Sequence, residues 1–235
     1  MYVSELKRAI GKKTVDTLIK NNMKIGLGSG STALGAVLRI SERVKKGSLS
    51  NIILVPTSFQ TEVECMRLGL HLRSLSDPAI DGKLDITIDG ADEVDSQWLL
   101  TKGGGGALLL EKIVAYASLR YVVMIEQRKL VKCLGEKLPL PVEIVPEALT
   151  TAAQRLQLLG AKTNLRMAKV KAGPVITDHG NFILDANFKQ QYDPIKMDQD
   201  IMMIPGVMAN GIFTRHVDHL FIGHDNGRVE HRHSI

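Results

Sequence analysis

The residues best equipped for chemistry lie between Leu84 and Ala115, in LDITIDGADEVDSQWLLTKGGGGALLLEKIVA. Asp89, Asp92, Glu93 and Asp95 form a carboxylate cluster, and Lys102 precedes four consecutive glycines, Gly103 to Gly106. The carboxylates are open to three readings: ligands for a divalent cation, hydrogen-bond and proton partners for a polyol, or a solvated acidic loop. Their D-x-x-D-E-x-D spacing lacks the calcium-loop pattern, whereas magnesium usually enlists substrate phosphates as well. The glycine run opens a helix, so backbone N–H groups are exposed there and an anion can approach closely. Glu111 sits in the body of that helix with Ala107, Leu108, Val114 and Ala115 at three and four positions, all apolar. A carboxylate on such a face is partly desolvated, which raises its pKa toward the range of a general base. The competing reading is a helix-edge glutamate paired with a nearby lysine.

A second glycine-rich turn, Gly28-Ser29-Gly30-Ser31-Thr32-Ala33, loosely fits the dinucleotide fingerprint G-x-G-x-x-G/A. The next strand, ILVPTS, does not end in an acidic residue able to hold a ribose hydroxyl, and no Gly-Lys-Ser/Thr follows as in a Walker loop. What remains is a nest of N–H groups and three hydroxyls at a helix N-terminus, which suits a single phosphate. The alternative is a tight turn required only by the fold. Lys7 and Lys129, on local grounds, are ordinary surface and loop lysines. Five histidines crowd the tail, but no H-E-x-x-H pattern accompanies them and no metal site is read there.

These groups need elements to position them. Residues 4–20 carry Leu6, Ile10, Leu18 and Ile19 behind Ser4, an amphipathic helix with a cap. Strands are expected at 23–27, 52–55, 70–75, 84–88 and 121–125, with helical spacing after each glycine turn and over PTSFQTEVECMRLG. Such alternation predicts an α/β architecture with a doubly wound, mostly parallel sheet. Three prolines in KLPLPVEIVP suggest a domain hinge. Beyond it, a helix at 147–160, strands at 161–170, 174–178 and 181–187, and a helix in PIKMDQDIMMI suggest a small ferredoxin-like α+β domain. The expected division is 1–136 with 207–235 as the larger domain and 137–206 as the smaller. The last stretch carries two strand-like runs that return to the first sheet.

Composition narrows the function classes. With 235 residues, 44% hydrophobic and 23% charged, the chain can bury a substantial core, and disorder is not the default. A net charge of +5 is mild and scattered, and 4% aromatics provide no stacking platform for single-stranded nucleic acid. Cys65 and Cys133, far apart and without C-x-x-C spacing, favour a reducing, cytoplasmic setting. The start has no apolar signal core, and no run approaches the roughly 20 apolar residues of a membrane span.

Taken together, GSGSTA, DGADEVD, KGGGGALLLEK, the lysine of QRKLV and LPLPVEIVP stand in the order seen in ribose-5-phosphate isomerases of type A, with SELK and IPGV adding to the match. The chain resembles that family over nearly its whole length. The resemblance implies a Rossmann-like larger domain with a ferredoxin-like smaller one. It implies a cytosolic, metal-independent, usually dimeric or tetrameric isomerase of the pentose phosphate pathway that needs no cofactor. Glu111 falls on the family's general base, and Asp89, Asp92 and Lys102 on its other active-site positions. Gly90, Ala91 and Gly103, Gly104 and Gly105 fall on substrate-contacting backbone. Ser29, Gly30, Ser31 and Thr32 match the sugar-phosphate loop, assisted by Lys7 and Lys129. Two departures stand out: Ser29 replaces the family's usual threonine, and Glu126-Gln127-Arg128 replaces Asp-x-Ser ahead of Lys129, making Arg128 a further candidate for the phosphate. The alternative function is a non-catalytic sugar-phosphate-sensing effector domain. Residues 1–20 offer a single helix and no helix-turn-helix, and a sensor has no need of a carboxylate placed like Glu111.

Overall fold

The structure is a computed structural model that describes residues 3–234; Met1, Tyr2 and Ile235, the outer ends of the expected larger domain, lie outside it. In chain order the elements are α1 (Glu5–Leu18), β1 (Lys24–Leu27), α2 (Gly30–Lys45), β2 (Ile53–Pro56), α3 (Phe59–Arg67), β3 (Leu84–Gly90), β4 (Glu93–Val94) and β5 (Leu100–Thr101). There follow α4 (Leu108–Tyr116), β6 (Ser118–Glu126), β7 (Leu140–Ile144), α5 (Leu149–Leu158), β8 (Ala161–Leu165) and β9 (Phe182–Phe188). The chain closes with α6 (Pro194–Met202), β10 (Val207–Asn210), β11 (Ile212–Phe213), β12 (His219–Gly223) and β13 (Val229–His233). Two compact units divide it: residues up to Ala91, Ile113–Lys129 and Arg215 onward form the first, and Asp92–Lys112 with Leu130–Thr214 form the second.

The first unit is built on a six-stranded sheet in the order β13-β12-β6-β3-β1-β2. All neighbours are parallel except β12 and β13, so the two tail strands do join this sheet. Tyr121 to Ile125 of β6 are wholly buried, the unbroken apolar run of a parallel strand covered on both faces. Ser4 caps α1 by accepting the Lys7 N–H, and Ile10, Val15 and Leu18 join Val37 and Ile40 of α2 in the core. From β1 the chain crosses to β2 on one side, then returns to β3 on the other. The topological switch point therefore lies between β1 and β3, and their carboxyl ends carry Gly28–Ser31 and Asp89–Ala91. Open α/β sheets bind ligands at that position.

In the second unit β7-α5-β8-β9-α6-β10 folds as a βαββαβ motif, with an antiparallel sheet in the order β10-β7-β9-β8. This is the ferredoxin-like arrangement. Ala152, Leu156 and Ile201 of its helices pack on Val142, Ile144, Leu184 and Ala186 of its strands. A separate three-stranded sheet, β11-β5-β4, supports Lys102, which follows β5 directly. The second unit thus takes in residues 92–112, 130–136 and 207–214 besides the expected 137–206.

Several expected elements differ. The prolines of KLPLPVEIVP do not mark a linker: Leu140–Ile144 is β7, an inner strand between β9 and β10. Pro141 is tolerated because β10 ends opposite Val142, so no ladder N–H is needed from it on that side. The expected strand at 70–75 reduces to one bridge, Leu54 to Leu72, because a turn from Ser74 to Asp77 follows at once. The expected strand at 174–178 does not form; Thr177 and Asn181 donate to the buried Glu143 carboxylate, which bends the segment into a turn. The strand expected at 161–170 stops at Leu165, where the chain leaves the ladder for a turn joining Ala168 to Gly173.

Candidate active site

At the switch point, Asp89 ends the buried part of β3 and is 0% exposed. One of its carboxylate oxygens, Oδ1, accepts the Ser29 N–H at 3.1 Å and the Gly90 N–H at 2.7 Å. A Cβ at Gly28 would overlap that carboxylate, so only glycine lets the turn pass. The Ser29 side chain, at the N-cap of α2, does not cap its own helix. Its hydroxyl joins Ser58 at 2.6 Å and Thr57 at 2.8 Å instead. By contrast Ser4 and Ser58 cap α1 and α3 from their side chains. No serine therefore lies over the first turn of α2, whose Gly30 N–H donates to Gln60 Oε1 at 3.3 Å; a helix start without its own side-chain cap is a place that receives an anion.

Lys7 reaches this turn, donating to the Ser31 hydroxyl at 2.8 Å while pairing with Glu126 at 3.3 Å. Arg128 also pairs with Glu126, at 3.2 Å. Burial pushes the Glu126 carboxyl up, but the Arg128 hydrogen bond and the Lys7 charge more than offset it and hold the group below the usual carboxylate range. Lys129 lies in the short 3-10 turn Gln127–Lys129 that directly follows β6. Lys7, Ser29 to Thr32, Asp89, Gly90, Ala91 and Lys129 thus all belong to the first unit.

The second unit holds the rest: Asp92, Lys102, Gly103, Gly104, Gly105 and Glu111. Lys102 is 3% exposed and Glu111 5% exposed, and their charged ends lie 3.3 Å apart. The Lys102 ammonium also stands 5.5 Å from the centre of the Phe213 ring, whose electron-rich face favours a cation. Leu108 beside Glu111 is fully buried, as are Val114 and Ala115. The ion pair is dry on its helix side, and electrostatic interactions are strong in such a setting. Immediately before the helix, Gly103 adopts φ +101°, a conformation that glycine alone takes without strain. The Gly104 N–H donates to Asp92 Oδ2 at 2.7 Å. Asp92 is half-buried where Asp89 is sealed, so of the two aspartates it alone presents a surface that a ligand can touch.

Glu93 and Asp95 are not part of either group. Glu93 is fully buried and accepts N–H groups from Gly135 and Lys137 at 2.7 Å, with the Thr101 hydroxyl at 3.0 Å. Asp95 accepts the Gln97 and Leu99 N–H groups in a turn, and burial raises its carboxyl above the usual range. In the tail His219 and His231 meet at 3.2 Å, and among the described residues no three metal-ligating side chains converge. Sequence reasoning missed Thr57, Ser58, Glu126 and Arg166, the last of which donates to the Gly103 and Gly104 carbonyls. Their local roles, Ser58 capping α3 and Glu126 meeting Arg128, do not reveal the distant contacts, which join Thr57 and Ser58 to Ser29, Glu126 to Lys7 and Arg166 to Gly103.

Known proteins resemble this chain in sequence and in shape. A family model described as ribose 5-phosphate isomerase A (phosphoriboisomerase A) matches residues 53–227. The chain belongs to the ribose 5-phosphate isomerase A family. It is 46% identical to a ribose-5-phosphate isomerase A of Treponema pallidum, over 98% of this chain and 93% of the relative. The corresponding protein of Pyrococcus horikoshii is 40% identical, with 97% of each chain covered. A D-ribose-5-phosphate isomerase solved in complex with phospho-erythronic acid superposes with a TM-score of 0.93 at 39% identity, covering all of both chains. The ribose 5-phosphate isomerase A of Methanocaldococcus jannaschii gives 0.90 at 39% identity, over 98% of this chain and 99% of that one. Among the described residues of this family member no helix is long and apolar enough to cross a membrane.

Proposed function

We propose that this chain interconverts D-ribose 5-phosphate and D-ribulose 5-phosphate in the non-oxidative pentose phosphate pathway, with Glu111 as the proton carrier. The observation that carries the reading is the buried Lys102–Glu111 pair at 3.3 Å, next to a glycine turn. Isomerisation requires an open-chain sugar and the transfer of one proton from C2 to C1. Glu111 takes the C2 proton, leaving an enediolate, and returns it at C1, while the C2 hydroxyl gives up its proton and the C1 oxygen gains one, so that C2 becomes the carbonyl and C1 the alcohol. Negative charge grows on the C1 oxygen as the C–H bond breaks, and Lys102 with the glycine N–H groups stabilises it. Lys102 changes partner strength, since Glu111 becomes neutral as the substrate oxygen becomes charged.

The two aspartates divide the remaining work by exposure. Asp92 contacts the hydroxyls and relays their protons during ring opening or between the C2 and C1 oxygens, while Asp89, sealed from solvent, holds the Ser29 and Gly90 N–H groups in place. Ser29 to Thr32, Gly90, Ala91, Lys7 and Lys129 hold the phosphate and the adjoining chain, and that remote binding energy orients the reacting carbons. Arg128, which pairs with Glu126 at 3.2 Å, is a further candidate for the phosphate. Because Lys102 supplies the positive charge, the reaction needs no metal ion. The enzyme works in the cytoplasm as a homodimer or homotetramer, a reading that rests on the family and on two unpaired cysteines.

Glu111→Gln tests the assignment, since it keeps the shape and removes the base. Turnover of ribose 5-phosphate is expected to fall by ~10²–10⁴-fold with KM little changed; retention of more than about a tenth of kcat rules Glu111 out. Full activity after exhaustive chelation supports the metal-free reading, and loss restored by a divalent ion refutes it. Light scattering of the purified protein reads the assembly. A sensing domain would bind the sugar phosphate without turnover and without dependence on Glu111.

A further inference from the structure

We infer that Arg166 is a positioning residue for this reaction: anchored by Asp185, it fixes the peptide planes of the 103–105 turn so that the Gly104 N–H stays on Asp92 and the Gly105 N–H is turned toward the developing oxyanion. The inference rests on the isomerase reading above. Arg166 follows the last residue of β8, and its own N–H still donates to Ile183 at 2.8 Å, so the side chain springs from a fixed strand end. Its Nε lies 2.9 Å from Asp185 Oδ2, and its Nη2 donates to Asp185 Oδ1. Such a two-point fork removes most of the freedom of the guanidinium. The remaining nitrogen, Nη1, donates to Gly103 O at 2.8 Å and to Gly104 O at 3.2 Å.

In a trans peptide the carbonyl and the following N–H point in opposite directions. With the Gly103 and Gly104 carbonyls turned to Arg166, the N–H groups of Gly104 and Gly105 are turned away from it. The first of these meets Asp92 Oδ2 at 2.7 Å, so the 103–104 peptide is gripped at both ends, by a cation on its oxygen and an anion on its N–H. The grip is needed because a run of four glycines has no side chains to define it, and each glycine takes positive or negative φ at little cost. A peptide flip would point a carbonyl where an oxyanion must be received. Preset dipoles that need no reorganisation during the reaction are the form of electrostatic help enzymes use most. The arginine side chain is itself mostly enclosed, at 17% exposure, and its role is exerted through the turn.

The test uses Arg166→Met and Asp185→Asn in the full chain. It measures kcat and KM for ribose 5-phosphate, inhibition by phospho-erythronic acid and by inorganic phosphate, and amide exchange at Gly104 and Gly105. For Arg166→Met, kcat is expected to fall ~10–100-fold, the scale of a small misplacement of catalytic dipoles. Inhibition by phospho-erythronic acid, which carries its carboxylate at the reacting end, weakens, while KM and inorganic phosphate inhibition stay within ~2-fold because phosphate binding is set elsewhere. Exchange at Gly104 accelerates, and added guanidinium restores part of the kcat of Arg166→Ala. Should Arg166→Met fail to fold, Asp185→Asn, which keeps the guanidinium but loosens it, decides on the same measurements with a smaller loss. The inference is overturned if a folded variant keeps kcat within ~2-fold, if phosphate inhibition falls in step with kcat, or if exchange at Gly104 is unchanged. Absence of turnover in the unaltered protein refutes the isomerase reading itself, while exchange at Gly104 still decides whether Arg166 holds the turn.

Discussion

The turns at 28–32 and 103–106 both set glycines ahead of a helix, yet different chemistry holds them. The first is tied mainly by neutral hydroxyls, Ser29 to Thr57 and Ser58, with the Lys7 ammonium on Ser31 and one sealed carboxylate, Asp89, under its N–H groups. The second is gripped by full charges, Asp92 on one side and the Arg166–Asp185 fork on the other, with the Lys102–Glu111 pair close by in sequence. Neutral hydroxyls can exchange partners when a dianionic phosphate arrives. Charged groups hold their partners more firmly and are about twice as strong per hydrogen bond, which suits a turn that must not move while charge develops. In the DGAD motif, two aspartates three residues apart each serve one turn: Asp89 the first, Asp92 the second.

Lys102→Met challenges the charged turn most severely. It leaves Glu111 buried without its cation, so kcat is expected to fall ~10²–10³-fold and thermal unfolding to register a loss of about 3 kcal/mol. A variant with unchanged stability would show that the pair is not the dry contact described. The aspartates come next, and they separate the two turns. Asp92→Asn keeps an acceptor for Gly104 but loses the charge and proton relay, so kcat drops by roughly 30-fold with KM little changed. Asp89→Asn loosens the first turn, so KM rises by roughly 10-fold while kcat holds. If steady-state kinetics show the two variants with the same signature, the division between the turns is wrong.

Lys7→Met, which removes one charged hydrogen bond at the first turn, is expected to raise KM by about 10-fold and to leave kcat near its normal value. The smallest effect concerns pH. Glu126 lies below the usual carboxylate range in the folded protein, so it contributes stability above its unfolded pKa of about 4.3 and loses it as the pH falls through the lower, folded value. With its neighbours partly exposed, the contribution is under about 1 kcal/mol. Melting curves of Glu126→Gln should therefore match the parent protein more closely at pH 3 than at pH 7.

Much of this was legible in the residues. The helix N-terminal glycine turns, the alternation of strands and helices, and the apolar neighbours of Glu111 follow from period and spacing, which local backbone geometry enforces. Of the two readings of Glu111, the pairing with a lysine is seen, and that lysine is Lys102. Proline misled at Pro141, because a strand tolerates it where its neighbour strand has ended, and that is a fact about register. The strand expected at 174–178 failed for a related reason, since the buried Glu143 draws Thr177 and Asn181 into a turn.

The sequence alone therefore determined the fold class, the family and the identities of the groups that carry charge. It could do so because side-chain type and short-range spacing are written directly in the chain. Only the tertiary structure decided how those groups are held: that Asp89 is sealed and Asp92 is not, that Ser29 turns from its own helix to Ser58, and that Arg166 grips a turn more than sixty residues earlier. Such contacts join residues distant along the chain, and strand order and packing alone bring them within hydrogen-bond reach.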